Sequence, residues 1–209
     1  NTPKLLMLSG IGDEQELRRH GIKTVMHAPE VGKNFQDHIL HGGCLWESTA
    51  PGDLRNSGAE ASGFMHSSSG RQGAPDLNLV QIELPYASDV IAKSYNPPGN
   101  SWALCAGLVQ PKSRGHIALR SGKSGDKPLV HANFLSHEDD VKALAVGIEM
   151  CRDIGNSAAM RPHVQREVAP ARKLAGKEMS DFIRNGATTY FHESGTCRSE
   201  LVLVNSSGN

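Results

Sequence analysis

The sequence predicts an α+β protein, with an antiparallel sheet through the middle of the chain and helices around it. Residues 76–84 read DLNLVQIEL, apolar on both faces at the centre, which is the pattern of a strand buried on both sides. Four further runs of strand character, 41–47, 61–66, 102–110 and 115–120, lie near it, separated by turn chemistry such as Asn96-Pro97-Pro98-Gly99-Asn100. From residue 136 the apolar period changes from two to that of a helix.

In chain order, residues 3–8 (PKLLML) form a short apolar run that ends in a tight turn, Ser9-Gly10-Ile11-Gly12. Asp13 is a candidate N-cap, and Glu16 three residues on resembles a capping box. The short helix it starts has basic residues Arg18 and Arg19 near its end and stops at Gly21. Residues 23–28 read as a strand ended by Pro29, and Val31-Gly32 as a turn into a polar loop, 33–38. Loops are expected at Ala50-Pro51-Gly52-Asp53 and at 67–73, the latter flexible.

Ser136 offers a capping hydroxyl, and Glu138, Asp139 and Asp140 fill an acidic first turn. Val141, Leu144, Ala145, Ile148 and Cys151 share one face, and Gly155-Asn156 closes the helix. A second helix covers 177–185, with Met179, Phe182 and Ile183 inward and Gly186 as its stop. Thr188, Thr189, Tyr190 and Phe191 favour extended structure.

Lys+Arg and Asp+Glu each count 22, so no basic excess points to nucleic acid or an anionic membrane. No apolar run has the length of a membrane span, and residues 1–4 lack a leader pattern. Cys44, Cys105, Cys151 and Cys197 form no C-x-x-C pair, so zinc and dithiol chemistry have no motif. The expectation is reduced thiols in a cytoplasmic protein. Aromatic content is only 5 %, which fits a chain that leaves apolar surface for something else to cover.

Four stretches together carry a family resemblance. Thr2-Pro3-Lys4-Leu5-Leu6-Met7-Leu8-Ser9-Gly10-Ile11-Gly12, Val31-Gly32-Lys33-Asn34-Phe35-Gln36-Asp37-His38, Pro111-Lys112-Ser113-Arg114-Gly115 and His192-Glu193-Ser194-Gly195-Thr196-Cys197-Arg198 occur in this order. They resemble, in order, motifs of the glucose-methanol-choline (GMC) flavoprotein oxidoreductases. Glu193 and Ser199 stand where the family usually has proline and methionine.

The resemblance implies an FAD-dependent enzyme acting on the CH–OH group of a small alcohol. Hydride passes to the flavin while His192 accepts the hydroxyl proton, since a neutral imidazole titrates in the right range for that task. It implies Phe191 beside the isoalloxazine, Asn34, Ser9 and Gly10 at the cofactor, and no metal. Gly195 would let backbone come close to the cofactor. It also implies a division into 1–38 (flavin-domain segment), 39–186 (substrate domain) and 187–209 (return to the flavin domain).

The family's dinucleotide-binding βαβ unit and its usual C-terminal segment are not recognisable here, and 200–209 (ELVLVNSSGN) do not align. The expectation is therefore a fragment whose partner is the missing flavin-domain portion, with weak FAD retention and no turnover by itself. Two other readings stand beside it. One is a non-catalytic substrate-domain piece docking to a separate flavin subunit. The other is a hydroxynitrile lyase of the same family.

From residue types alone, His192 reads as a structural histidine held by a neighbour, and Ser9-Gly10-Ile11-Gly12 as a strand-to-helix turn. Asp37-His38 lacks a third ligand and reads as a surface loop. His131 and His137 flank the start of the long helix and read as groups that cap or solvate it.

Overall fold

A computed structural model describes residues 1–50, 57–68 and 72–198. Of the expected loops, 51–53 and 69–71 lie outside the described residues, as does the 200–209 stretch. The elements are α1 (Thr2–Leu8), β1 (Ile11–Gly12), α2 (Glu14–Arg19), β2 (Met26–His27), β3 (Ile39–Ser48), β4 (Ser62–Met65), β5 (Leu77–Ile82), α3 (Asp89–Tyr95), β6 (Ser101–Leu108), β7 (His116–Ala118), β8 (Leu129–His131), α4 (Glu138–Gly155), β9 (Val164–Ala169), α5 (Gly176–Gly186) and β10 (Ala187–Thr189). The α+β expectation holds. Helix and antiparallel sheet are mixed, and the parallel β1–β2 pair is confined to two residues a side.

The chain divides into two compact units. Of the described residues, one comprises Asn1–Asp37, Ser113–Ser136 and 193–198, and the other those within His38–Lys112 and His137–His192. The expected continuous middle domain, 39–186, is therefore interrupted. Hydrogen bonding gives the reason. Phe35 and Gly115 exchange backbone bonds of 3.0 and 2.9 Å, and Ile117 N donates to Gly32 O at 2.6 Å. Residues 187–189 instead pair with β3, which holds them in the sheet unit.

In the first unit, the apolar run 3–8 is a helix with Pro3 in its first turn, where the missing N–H costs nothing. Ser9-Gly10 is thus a helix-to-strand turn. Of the expected strand 23–28 only Met26–His27 pairs, in parallel with Ile11–Gly12. Asp13 Oδ1 caps α2 by accepting from Glu16 N at 2.9 Å. Glu16 does not complete a capping box, because its Oε1 accepts from Leu119 N at 3.0 Å. Met7, Leu17, Phe35, Ile117 and Leu119 bury one another in the core of this unit. His131 does not solvate a helix start; it stacks on His116 across β7–β8, ring centroids 4.3 Å apart.

The second unit is built on a six-stranded sheet with the order β10-β3-β6-β5-β4, and β9 also pairs with β3. Every pairing in it is antiparallel. Leu77, Asn78, Leu79 and Val80 are all buried, as a strand covered on both faces requires. The long helix starts one residue later than its hydroxyl signal: His137 is the cap, its Nδ1 accepting from Asp139 N at 3.2 Å. Asp140 turns inward from the acidic first turn and accepts from Lys112 N at 2.7 Å. In this unit α3, capped by Ser88, and β9 had no clear sequence signal, nor had β8 in the other.

Cys44, Cys105 and Cys151 are buried free thiols, and Cys197 is exposed and free. Burial pushes the Cys105 thiol up, and a hydrogen bond with Cys151, then burial, do the same for Cys44, so both stay protonated core residues. Among the described residues, no helix is long and apolar enough to cross a membrane.

Two outcomes follow. A Cβ on Gly155 would lie 2.3 Å from the Trp46 ring, which is fully buried, stacked on Trp102 at 5.0 Å and tied to Asn156 by Nε1 at 2.9 Å. The indole has no room to retreat, so Gly155→Ala costs about 2–3 kcal/mol, read as a lower urea midpoint at unchanged slope. Burial, His131 and Lys33 hold His116 below its usual range, partly opposed by Glu16. The unfolded chain therefore binds the proton at higher pH than the folded one, and stability falls as pH drops through about 6.5. Urea midpoints at pH 5 and 7.5 should differ less in His116→Gln than in the parent protein.

Candidate active site

The register of β10 on β3 sets the site in the sheet unit. Ala187 pairs with His41, Thr188 with Leu40 and Thr189 with Ile39. The next step puts Tyr190 opposite His38, and Tyr190 N donates to His38 O at 3.1 Å. Extended structure stops there. Phe191 has φ +61°, with its N–H bonded to Thr189 Oγ1 at 2.9 Å. The sequence expectation of a stiff strand running up to His192 is thus corrected: the chain turns at Phe191.

That turn brings His192 back over Tyr190. Their rings stack at 4.7 Å and 16°. His192 Nδ1 lies 2.8 Å from His38 Nδ1, the two rings standing at 80° to each other. Tyr190 is anchored in turn, its hydroxyl donating to Asn78 Oδ1 at 3.0 Å. Asn78 Nδ2 donates to Ser62 Oγ at 2.8 Å. The phenol ring lies over Gly107, where a Cβ would come within 3.0 Å of it. Burial pushes the Tyr190 hydroxyl up, so it stays a donor.

His192 itself is exposed. The arrangement is an imidazole on the surface, held in plane and in rotation by two aromatic neighbours, with one nitrogen committed to another imidazole. Such a group can exchange a proton with a molecule reaching it from solvent. Phe191 beside it is 74 % exposed, an unusual position for an aromatic ring in a left-handed conformation.

The other predicted site residues lie in the first unit. Asn34, at φ +57°, borders a cleft of about 860 Å³ also lined by Phe35, Ile117, Glu193, Gly195 and Thr196. Its Nδ2 approaches Gly195 O at 3.4 Å. The 193–198 stretch runs antiparallel to 31–36: Gly32 N donates to Thr196 O at 2.9 Å and Gln36 N to Ser194 O at 3.0 Å. Three of the four motif stretches therefore meet by backbone pairing. Gly195 has φ +85°, and a Cβ there would meet Asn34 O at 2.3 Å. The backbone that its missing side chain admits is that of Asn34.

Ser9 and Gly10 do not line this cleft. Ser9 is the exposed C-cap of α1, and Gly10 accommodates Lys23 O and Val25, with 2.5 Å to the former from a built Cβ. Among the described residues no cluster of three or more metal-binding side chains occurs.

Sequence reasoning missed His38, Tyr190 and Asn78. The pair Asp37-His38 was visible but read as a surface loop. Asp37 is in fact buried, and His38 bonds to His192. Only the strand register joins residues 154 positions apart.

Residues 111–199 match the family described as GMC oxidoreductase. The chain is 36 % identical over 223 residues to an alcohol dehydrogenase [acceptor] of Pseudomonas putida, covering 95 % of the chain and 40 % of that protein. Residues 111–199 thus carry the likeness to the GMC oxidoreductase family. A choline oxidase of Arthrobacter globiformis is 30 % identical, over 95 % of the chain and 37 % of its own length. The pyridoxine 4-oxidase structure from Mesorbium loti superposes on 94 % of the chain and 39 % of its own, with a TM-score of 0.85 and 28 % identity. The chain thus spans about two fifths of these relatives. All four motif stretches of the resemblance fall inside residues 2–198, and the last two lie in the part matched by the family description.

The strain at Phe191 is measurable. A side chain in the left-handed region costs about 1–2 kcal/mol, and glycine escapes it at some cost in unfolded-state entropy. Phe191→Gly should be about 1 kcal/mol more stable than Phe191→Ala in urea unfolding.

Proposed function

We propose that the protein is an FAD-dependent oxidoreductase acting on the CH–OH group of an alcohol, with His192 as the proton acceptor. The observation that carries this reading is His192: an exposed imidazole, clamped by Tyr190 and bonded through Nδ1 to His38, in a stretch matched to the family. Relatives named as an alcohol dehydrogenase, a choline oxidase and a pyridoxine 4-oxidase support alcohols as the substrate class. We assign the sheet unit to substrate binding and the other unit to a flavin domain.

The residues fit a flavin in part. Phe191 offers an exposed aromatic face next to His192, in a left-handed backbone conformation. Asn34 offers an amide at the edge of a cleft large enough for part of a cofactor. Ser9 and Gly10 are accounted for by capping and packing, and the fit does not use them.

When bound, FAD supplies the two-electron acceptor that receives the hydride from the carbinol carbon. The chain's own part is the proton. An alcohol hydroxyl is far too weak an acid to ionise near neutrality, so its proton must leave as the hydride does. His192 Nδ1 is committed to His38, which makes Nε2 the atom that takes the proton. The stacked Tyr190 ring keeps the imidazole from swinging, so Nε2 keeps one direction in the ground state and at the moment of transfer.

The test has two stages. The purified chain is mixed with excess FAD, free flavin is removed, and the absorption spectrum is recorded. Retained flavin permits turnover assays on alcohols, where His192→Ala should lower kcat about 10²- to 10⁴-fold while the flavin stays bound. A change of only a few-fold would remove His192 as the base. A colourless chain would favour the non-catalytic docking reading for this region.

A further inference from the structure

We propose that His38 is a positioning residue that holds His192 in the tautomer with its proton on Nδ1, and that Tyr190 fixes the plane of the same ring. The inference rests on the reading of His192 as the base, and its test is independent of flavin and turnover.

The geometry leaves two choices. At 2.8 Å the two Nδ1 atoms share one proton, so one ring donates and the other accepts. If His38 donates, neutral His192 carries its own proton on Nε2, and that atom has no lone pair for a substrate hydroxyl. If His192 donates, its Nε2 holds the lone pair, and His38 carries its proton on its own Nε2. The first arrangement disarms the base and the second arms it.

Proton uptake separates the two further. When His192 gains a proton on Nε2 in the second arrangement, the Nδ1–H···Nδ1 bond to His38 becomes charge-assisted and strengthens without moving. In the first arrangement the shared proton would have to be reorganised before the imidazolium could form. His38 is well suited to accept: it is half-buried, and its backbone is fixed by the bond from Tyr190 N at 3.1 Å. The hydrogen bond with His38 restrains rotation of His192 in its plane. The stack on Tyr190, at 4.7 Å and 16°, fixes the plane. Tyr190 can do this because Asn78 and Ser62 anchor it and because residue 107 is glycine.

The experiment is imidazole ¹⁵N NMR on the histidine-labelled 209-residue chain, with His192→Gln and His38→Gln used to assign the two rings. Above the titration range, the His192 signals should show a protonated Nδ1 and a bare Nε2. In His38→Ala they should revert to the Nε2–H form that a side-chain imidazole favours in water. His38→Asn keeps an acceptor oxygen and should restore the Nδ1–H form at least in part. Tyr190→Ala should abolish the upfield ring-current shift of the His192 carbon-bound protons, whereas Tyr190→Phe should retain it.

A His192 that carries its proton on Nε2 in the parent chain overturns the proposal, and that measurement needs no variant to fold. So does an unchanged tautomer in a folded His38→Ala. By contrast, a correct tautomer in a protein whose turnover survives His192→Ala would sink the base assignment and leave the tautomer standing.

Discussion

The site depends on one strand pairing. β10 is three residues long and lies antiparallel on the start of β3, with Thr189 opposite Ile39. Because side chains alternate across a strand, a slip of one residue would send Tyr190 to the other face. Tyr190 would then lose Gly107 and Asn78, and His192 would lose its stacking partner. The register is held by buried neighbours on both sides, since Ile39 and Leu40 are core residues of β3. A polar surface strand has no such constraint.

The sheet makes room for this arrangement through small residues. β6 presents Gly107 under the Tyr190 ring, and β3 changes register between His41 and Cys44, across Gly42-Gly43. Helices close on the sheet in the same manner: Gly155 lies against Trp46 and Gly186 against the His41 ring. Each contact replaces a side chain with another residue's ring, which lets the large residue come close to the backbone.

Local preference and fold part company at Phe191. Along β10 local preference agrees with the fold: β-branched threonines stand in the strand, with the core residues Ile39 and Leu40 beside them on β3. At Phe191 the preferences conflict, with an aromatic side chain both exposed and left-handed. Such conflicts are expected where a chain must present groups to a ligand rather than bury them. The adjacent His192 benefits, because the turn is what brings its ring back over Tyr190.

The sequence by itself determined the fold class, the buried central strand, the inward face of α5, part of that of α4 (Leu144, Ile148 and Cys151, with Ala143 and Gly147 where Val141 and Ala145 were expected) and the family resemblance, because periodicity and motif spacing are local or one-dimensional properties. It also singled out His192 and the Asp37-His38 pair. It could not join them. Whether His38 is a loop residue or the partner of His192 depends on the pairing of strands far apart in the chain, and no local pattern encodes that. The same holds for the glycines: Gly10, read as a cofactor contact, makes room for Val25, and Gly195 for Asn34. Only the tertiary structure decides what a missing side chain makes room for, since that depends on which backbone or ring packs against it.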